Sequence, residues 1–184
     1  MINVYANAGV HHEVDKLFQA MQRQGCLPDS STYLSLVQAY TESLNYSKAE
    51  ETIHAMQSKG ISPSCAHFTI LLSALIKAGL IDEAKRVYEG ISTFGVTPDL
   101  ICYRTIMKGY LKYGRVEEGI NFYESICNCK STKGDDFVLS VAVHLYKSAG
   151  MESHAKEILS SMNKMRIPFL RKLEVGSGER VKVP

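Results

Sequence analysis

The sequence offers little that would assign it to a membrane, a polyanion or a reaction on composition alone. No run is long and apolar enough to cross a membrane, although 45% of the 184 residues are hydrophobic, a globular proportion. Charge of one sign is not in excess. The formal net charge is +2, so a nucleic-acid partner has to be argued from where the charges sit. The cysteines are Cys26, Cys65, Cys102, Cys127 and Cys129, an odd set without C-x-x-C spacing, which argues against a disulfide framework and for reduced thiols. Met1 opens on no recognisable signal or transit segment.

Catalytic and metal-binding patterns are equally scarce. His11-His12-Glu13 satisfies H-x-E, which zinc deaminases use for a ligand and a proton shuttle, but the C-x-x-C partner is missing. His11 and Glu13 are therefore expected as polar residues of a helix's first turn. Cys127-x-Cys129 places only one residue between its thiols, too few for the usual zinc spacing. His67, His144 and His154 are scattered, and no acid, base and nucleophile gather around them. The only G-x-G, Gly176–Gly178, has no helix to follow it and cannot form a phosphate-binding loop. The expectation is a protein that is not an enzyme and holds no cofactor or metal.

What the sequence does contain is repetition. Gly-x-x-Pro-Asp/Ser occurs as "GCLPD", "GISPS" and "GVTPD", with Gly25, Gly60 and Gly95 spaced 35 residues apart. Counting from the residue after each Pro-Asp/Ser pair gives a truncated copy at 1–29 and repeats at 30–64, 65–99, 100–135 and 136–170, with a flexible tail at 171–184. Equivalent positions agree with this frame. Tyr33, Phe68, Tyr103 and Leu139 share one slot, and Tyr40, Leu75, Tyr110 and Tyr146 share another. Ala49, Ala84, Gly119 and Ala155 are all small, and Met56, Ile91, Ile126 and Met162 close the series. A fixed period of this length is the mark of a stacked-repeat architecture.

Each unit divides into two helices. In "FTILLSALIKA" (68–78) the apolar residues Phe68, Leu71, Leu72, Leu75 and Ile76 fall at helical spacing, and Gly79 supplies a C-terminal stop. A second helix is expected near Asp82, whose carboxylate is placed to cap it, with Ser47 and Ser153 in the same slot and Glu117 giving charge alone. Pro98 keeps that helix from running on past Gly95. A lone hairpin cannot bury both apolar faces, so the expected fold is all-α, a solenoid of helix-turn-helix units.

The segment "AHFTILLSALIKAGLIDEAKRVYEGISTFGVTPD" (Ala66–Asp99) closely resembles a pentatricopeptide repeat, and the likeness covers essentially Met1–Leu170. It is looser in the last unit, where Pro168 comes one residue early and Phe169-Leu170 replaces Pro-Asp. The resemblance implies a right-handed superhelix that binds single-stranded RNA in a chloroplast or mitochondrion, each repeat reading about one base. It also implies that the fifth and last residues of a repeat face a base edge: Leu34/Ser64, Thr69/Asp99, Arg104/Asp135 and Ser140/Leu170. Among these, Thr69/Asp99 matches a family code pair, the one associated with guanine. The second residues, Ser31, Ala66, Ile101 and Phe137, would flank the bases. Leu34 and Leu170 can offer a base no side-chain hydrogen bond.

Charge placement adds an argument independent of the family. Arg104, Lys108 and Lys112 are spaced i, i+4, i+8, on one face of one helix, and Lys77 holds the slot of Lys112 one repeat earlier; Lys147 is one position off it. Like charges at that spacing repel, and a phosphate track would compensate them. The alternative is a protein-binding scaffold, favoured by Leu34, Ile76 and Leu111. Ile2 and Tyr5 occupy core slots of a helix whose opening residues are missing. Hence Met1 is expected to lie inside a longer protein, with self-association through the uncapped first repeat.

Overall fold

The computed structural model describes residues 11–130, 132–171 and 173. The expectations for Ile2 and Tyr5, and those for the tail beyond 173, fall outside them. Among the described residues there are nine α-helices and no strand. In chain order they are α1 (His11–Arg23), α2 (Ser30–Glu42), α3 (Tyr46–Ser58), α4 (Cys65–Lys77) and α5 (Ile81–Gly90), then α6 (Leu100–Lys112), α7 (Val116–Ile126), α8 (Asp136–Ser148) and α9 (Glu152–Lys164). A single 3-10 turn, Ile91–Phe94, extends α5. The helices fall into two compact units divided after Pro98. None of them is long and apolar enough to cross a membrane.

The first helix of each hairpin begins at a capping side chain. Asp29 accepts the Thr32 amide at 2.8 Å, Asp99 the Cys102 amide at 2.9 Å and Asp135 the Val138 amide at 2.9 Å. Each satisfies one of the amides that a helix start leaves without a partner. Asp29 also accepts the hydroxyls of Thr32 and Ser31, and these bonds, Thr32's hydroxyl foremost, hold its carboxyl down at about 2.

The second helices start differently from expectation. Asp82, Ser47 and Ser153 lie inside the first turns of α5, α3 and α9, and the cap positions are Leu80, Asn45 and Met151. Only Asn45 among these bonds a first-turn amide, that of Lys48 at 3.2 Å. The reason is the sharpness of the link. A residue with positive φ (Leu44, Gly79, Gly114 or Gly150) stands in the middle of a three-residue link, so a single cap residue separates it from the next helix. Asp82 therefore acts on the helix dipole rather than as a cap. Leu44, at φ 60°, is the one non-glycine in this slot and carries about 1–2 kcal/mol of backbone strain.

In the first unit, α2 packs on α3 and α4, and α4 on α5. Tyr33, Leu36, Ile53, Met56, Leu71, Leu72 and Ile91 are sealed from solvent. Ion pairs join successive second helices: Lys48 bonds Asp15 at 2.6 Å, and Arg86 grips Glu50 through two bonds of 2.8 and 2.7 Å. In the second unit, α6, α7, α8 and α9 enclose Met107, Val141, Leu145 and Met162. Ile76 and Leu111 are core residues, 6% and 3% exposed, and so present nothing to a ligand.

One close approach in the second unit is tight enough to test. A Cβ on Gly119 would stand 2.7 Å from Leu145 Cδ1 and 3.1 Å from Tyr110 Cβ. Ala39, Ala74 and Gly109 are small where the frame has Leu145, so the bulk of Leu145 and the lack of it at Gly119 compensate. Gly119→Ala gains helix propensity but overpacks a closed core, and the net loss should be about 1–2 kcal/mol. Adding Leu145→Ala should remove the clash, so that the pair is non-additive by about 1 kcal/mol in urea unfolding. Simple additivity would mean that the two residues do not compete for space.

Candidate nucleic-acid interface

The first helices and the caps that precede them carry the residues that sequence places near a base, except Leu170, which follows the last helix. On α4, Thr69 is half-buried, and its hydroxyl donates to the Cys65 carbonyl at 2.9 Å. Asp99, at the start of α6, gives one oxygen to its cap. The second oxygen accepts no hydrogen bond from the described residues of its own unit. Leu34 is half-buried on α2, and the Ser64 hydroxyl donates to His67 Nδ1 at 3.0 Å.

Two pairs meet directly within the second unit. Arg104 reaches Asp135 through Nε, at 3.1 and 3.0 Å to the two carboxylate oxygens, and through a terminal nitrogen to Oδ2. The same nitrogen lies 3.4 Å from Asp136. The Asp135 side chain is 4% exposed and Arg104 is 45% exposed. In the other pair the Ser140 hydroxyl is fully buried and accepts the Leu170 backbone amide at 3.0 Å. Beside it, His144 Nε2 lies 3.1 Å from the Leu170 carbonyl and its ring stacks on Phe169. The two residues of each pair meet, and both pairs are bonded within the protein.

Of the flanking residues, Ser31, Ala66 and Ile101 are exposed, and Phe137 is half-buried with the Arg104 guanidinium 6.0 Å from its ring. Ser31 is engaged by Asp29 at 2.9 Å. Lys77, Lys108, Lys112 and Lys147 all stand in solvent, Lys112 lying 5.0 Å from the Tyr113 ring and Lys147 5.7 Å from that of Phe169. On α6 the three basic residues are unequal: carboxylates offset Arg104, while Lys108 and Lys112 have no ion pair among the described residues.

His67 is the residue whose role sequence inspection missed. It is 1% exposed, its Nδ1 accepts the Ser64 amide at 3.2 Å, and its Nε2 donates to the Ser30 carbonyl at 3.2 Å. It thereby ties the start of α4 to the start of α2. The available signal was its position three residues after Ser64, the spacing of a capping box.

The sequence matches the family description "Pentatricopeptide repeat domain" over residues 16–78 and 54–112, and "PPR repeat" over 1–26 and 101–130. The chain belongs to the pentatricopeptide repeat family. Its fold is likewise that of solved pentatricopeptide repeat structures. The maize protein PPR10 superposes with a TM-score of 0.72 at 23% identity, over 90% of this chain and 24% of that one. PPR10 in complex with an 18-nt psaJ RNA element gives 0.66, again at 23% identity over 90% of this chain and 24% of the other. The PPR domain of Arabidopsis thaliana protein-only RNase P 1 in complex with tRNA gives 0.70 at 13% identity, covering 92% of this chain and 89% of that domain. The pentatricopeptide repeat chain described here thus spans about a quarter of PPR10. A comparison with curated proteins finds no match.

His67 also predicts a pH dependence. Burial lowers its pKa below the usual 6.5, and the bond from Nε2 to the Ser30 carbonyl only partly opposes this. A depressed folded pKa means that stability is present above about 6.5 and is lost as pH falls from there towards the folded value. Thermal melts of the wild type should weaken between pH 7 and pH 5 more steeply than those of His67→Asn, even if that variant starts lower. Parallel slopes would show that His67 does not titrate on unfolding.

Proposed function

We propose that this chain is a single-stranded RNA-binding module of an organellar protein, in chloroplast or mitochondrion, acting in RNA processing, splicing, stability or translation. The observation that carries it is the exposed Lys108–Lys112 face of α6, unpaired with acid, on the helix that follows the Asp99 cap. Two family structures similar in fold contain RNA, which supports the same reading. Lysines would hold phosphates and supply affinity without sequence, while base edges supply discrimination. Thr69 and Asp99 are assigned to one base. Asp99 retains a carboxylate oxygen beyond its cap bond, suited to the N1–H and N2 amine of guanine. The protein-scaffold alternative is weakened, because Ile76 and Leu111 are buried in the core.

Changing Lys77, Lys108 and Lys112 together to Gln should weaken binding to all RNA sequences alike. The slope of log affinity against log salt should fall by about two units, roughly 0.7 for each phosphate contact on a single strand. Fluorescence anisotropy across a salt series measures this, and an unchanged slope would put the phosphate track elsewhere.

Base readout has its own test. Wild type should prefer guanine at one nucleotide, and Thr69→Asn should move that preference towards uracil, the base the family pairs with Asn and Asp. The change should amount to about 1–3 kcal/mol in relative affinity for guanine- and uracil-containing oligonucleotides. Equal ratios for the two proteins would remove Thr69 from base recognition.

A further inference from the structure

The Arg104–Asp135 pair has a consequence for how a strand would pass the second unit. We propose that this pair closes the repeat spanning 100–135 to base-edge recognition, so that a bound RNA crosses it through backbone contacts alone. The inference rests on the RNA-binding reading and concerns this chain's own residues.

The hydrogen-bond capacity of Asp135 is already used. Oδ1 accepts the Val138 amide and Arg104 Nε, and Oδ2 accepts Nε and a terminal guanidinium nitrogen. A base presenting donors would have to displace the guanidinium from a carboxylate that is 4% exposed. Separating a charge from a buried partner costs more than a base contact returns. The guanidinium also leans over Phe137, 6.0 Å from its ring, which crowds the neighbouring stacking position. Asp136, 3.4 Å away, holds it from the other side. The preceding cap residue differs: Asp99 has no such arginine on its carboxylate within its own unit.

The test is base preference of the full chain, read by anisotropy with oligonucleotides varied one position at a time around the preferred guanine. For the wild type, the positions beside that guanine should accept all four bases within about twofold. Arg104→Thr recreates at this repeat the Thr–Asp combination of the one before, and should add a second guanine preference of at least about fivefold at an adjacent position. A wild type that already discriminates beside the guanine, for instance by aiming the remaining guanidinium donors at acceptors of a base, overturns the closed pair alone. So does an Arg104→Thr protein that keeps its helicity and RNA affinity but gains no preference. The wild type offers a second check: the Arg104 Nε–H resonance should stay in place when RNA is added, and a large shift means that the pair opens. A wild type that binds no RNA brings down the RNA reading itself and this inference with it, an outcome distinct from the others.

Discussion

The first helix of each complete repeat starts from a side chain, on the residue just before it, that bonds its first turn. A helix start leaves amides without partners, and at Asp29, Asp99 and Asp135 a carboxylate supplies what is missing. At Ser64 the same junction is made with the help of His67, which reaches on to Ser30. The direction in which the chain enters each first helix follows from this bond.

The cap also explains why the candidate interface is uneven. A carboxylate committed to a helix start through one oxygen has a second oxygen to offer. Whether it remains on offer depends on what the fifth residue of the repeat carries. With arginine there, the second oxygen is taken by the protein itself. In the last repeat no carboxylate stands at the end, and the backbone of Leu170 takes the hydroxyl of Ser140. The exposed lysines Lys108 and Lys112 are independent of this arrangement, so under the proposed function holding a strand and reading it would fall to different residues.

Much of the fold was legible because its period is short and its core slots are chemically plain. Tyr33, Phe68, Tyr103 and Leu139 are buried as their shared slot requires, and so are Met56, Ile91, Ile126 and Met162. The second-helix caps were misplaced because a polar residue in a first turn looks like a cap when the three-residue link before it is taken to be longer. Asp82 and Ser153 are of that kind. Ile76 and Leu111 count towards a protein-binding scaffold in the sequence but are buried, because helical spacing alone cannot tell a residue turned to a neighbouring helix from one turned to a partner. Sequence set Arg104 and Asp135 in one frame as residues facing a base edge, and the ion pair between them emerges only from the structure, because the burial of Asp135 depends on how α6, α7 and α8 close around it.

Gly119 and Leu145 bear on a different matter, the interchangeability of repeats as building blocks. A solenoid invites the view that its units can be reordered, deleted or duplicated like beads, since each touches only its neighbours. Here one junction is keyed: a glycine with no room for a methyl group faces a leucine where the other repeats have alanine or glycine. Placing the repeat 136–170 after one that carries alanine in the Gly119 slot would force a clash, and placing an alanine-bearing repeat after Gly119 would leave a void. The order of these two units is therefore written into their packing, and any rearrangement of the array would have to move them together.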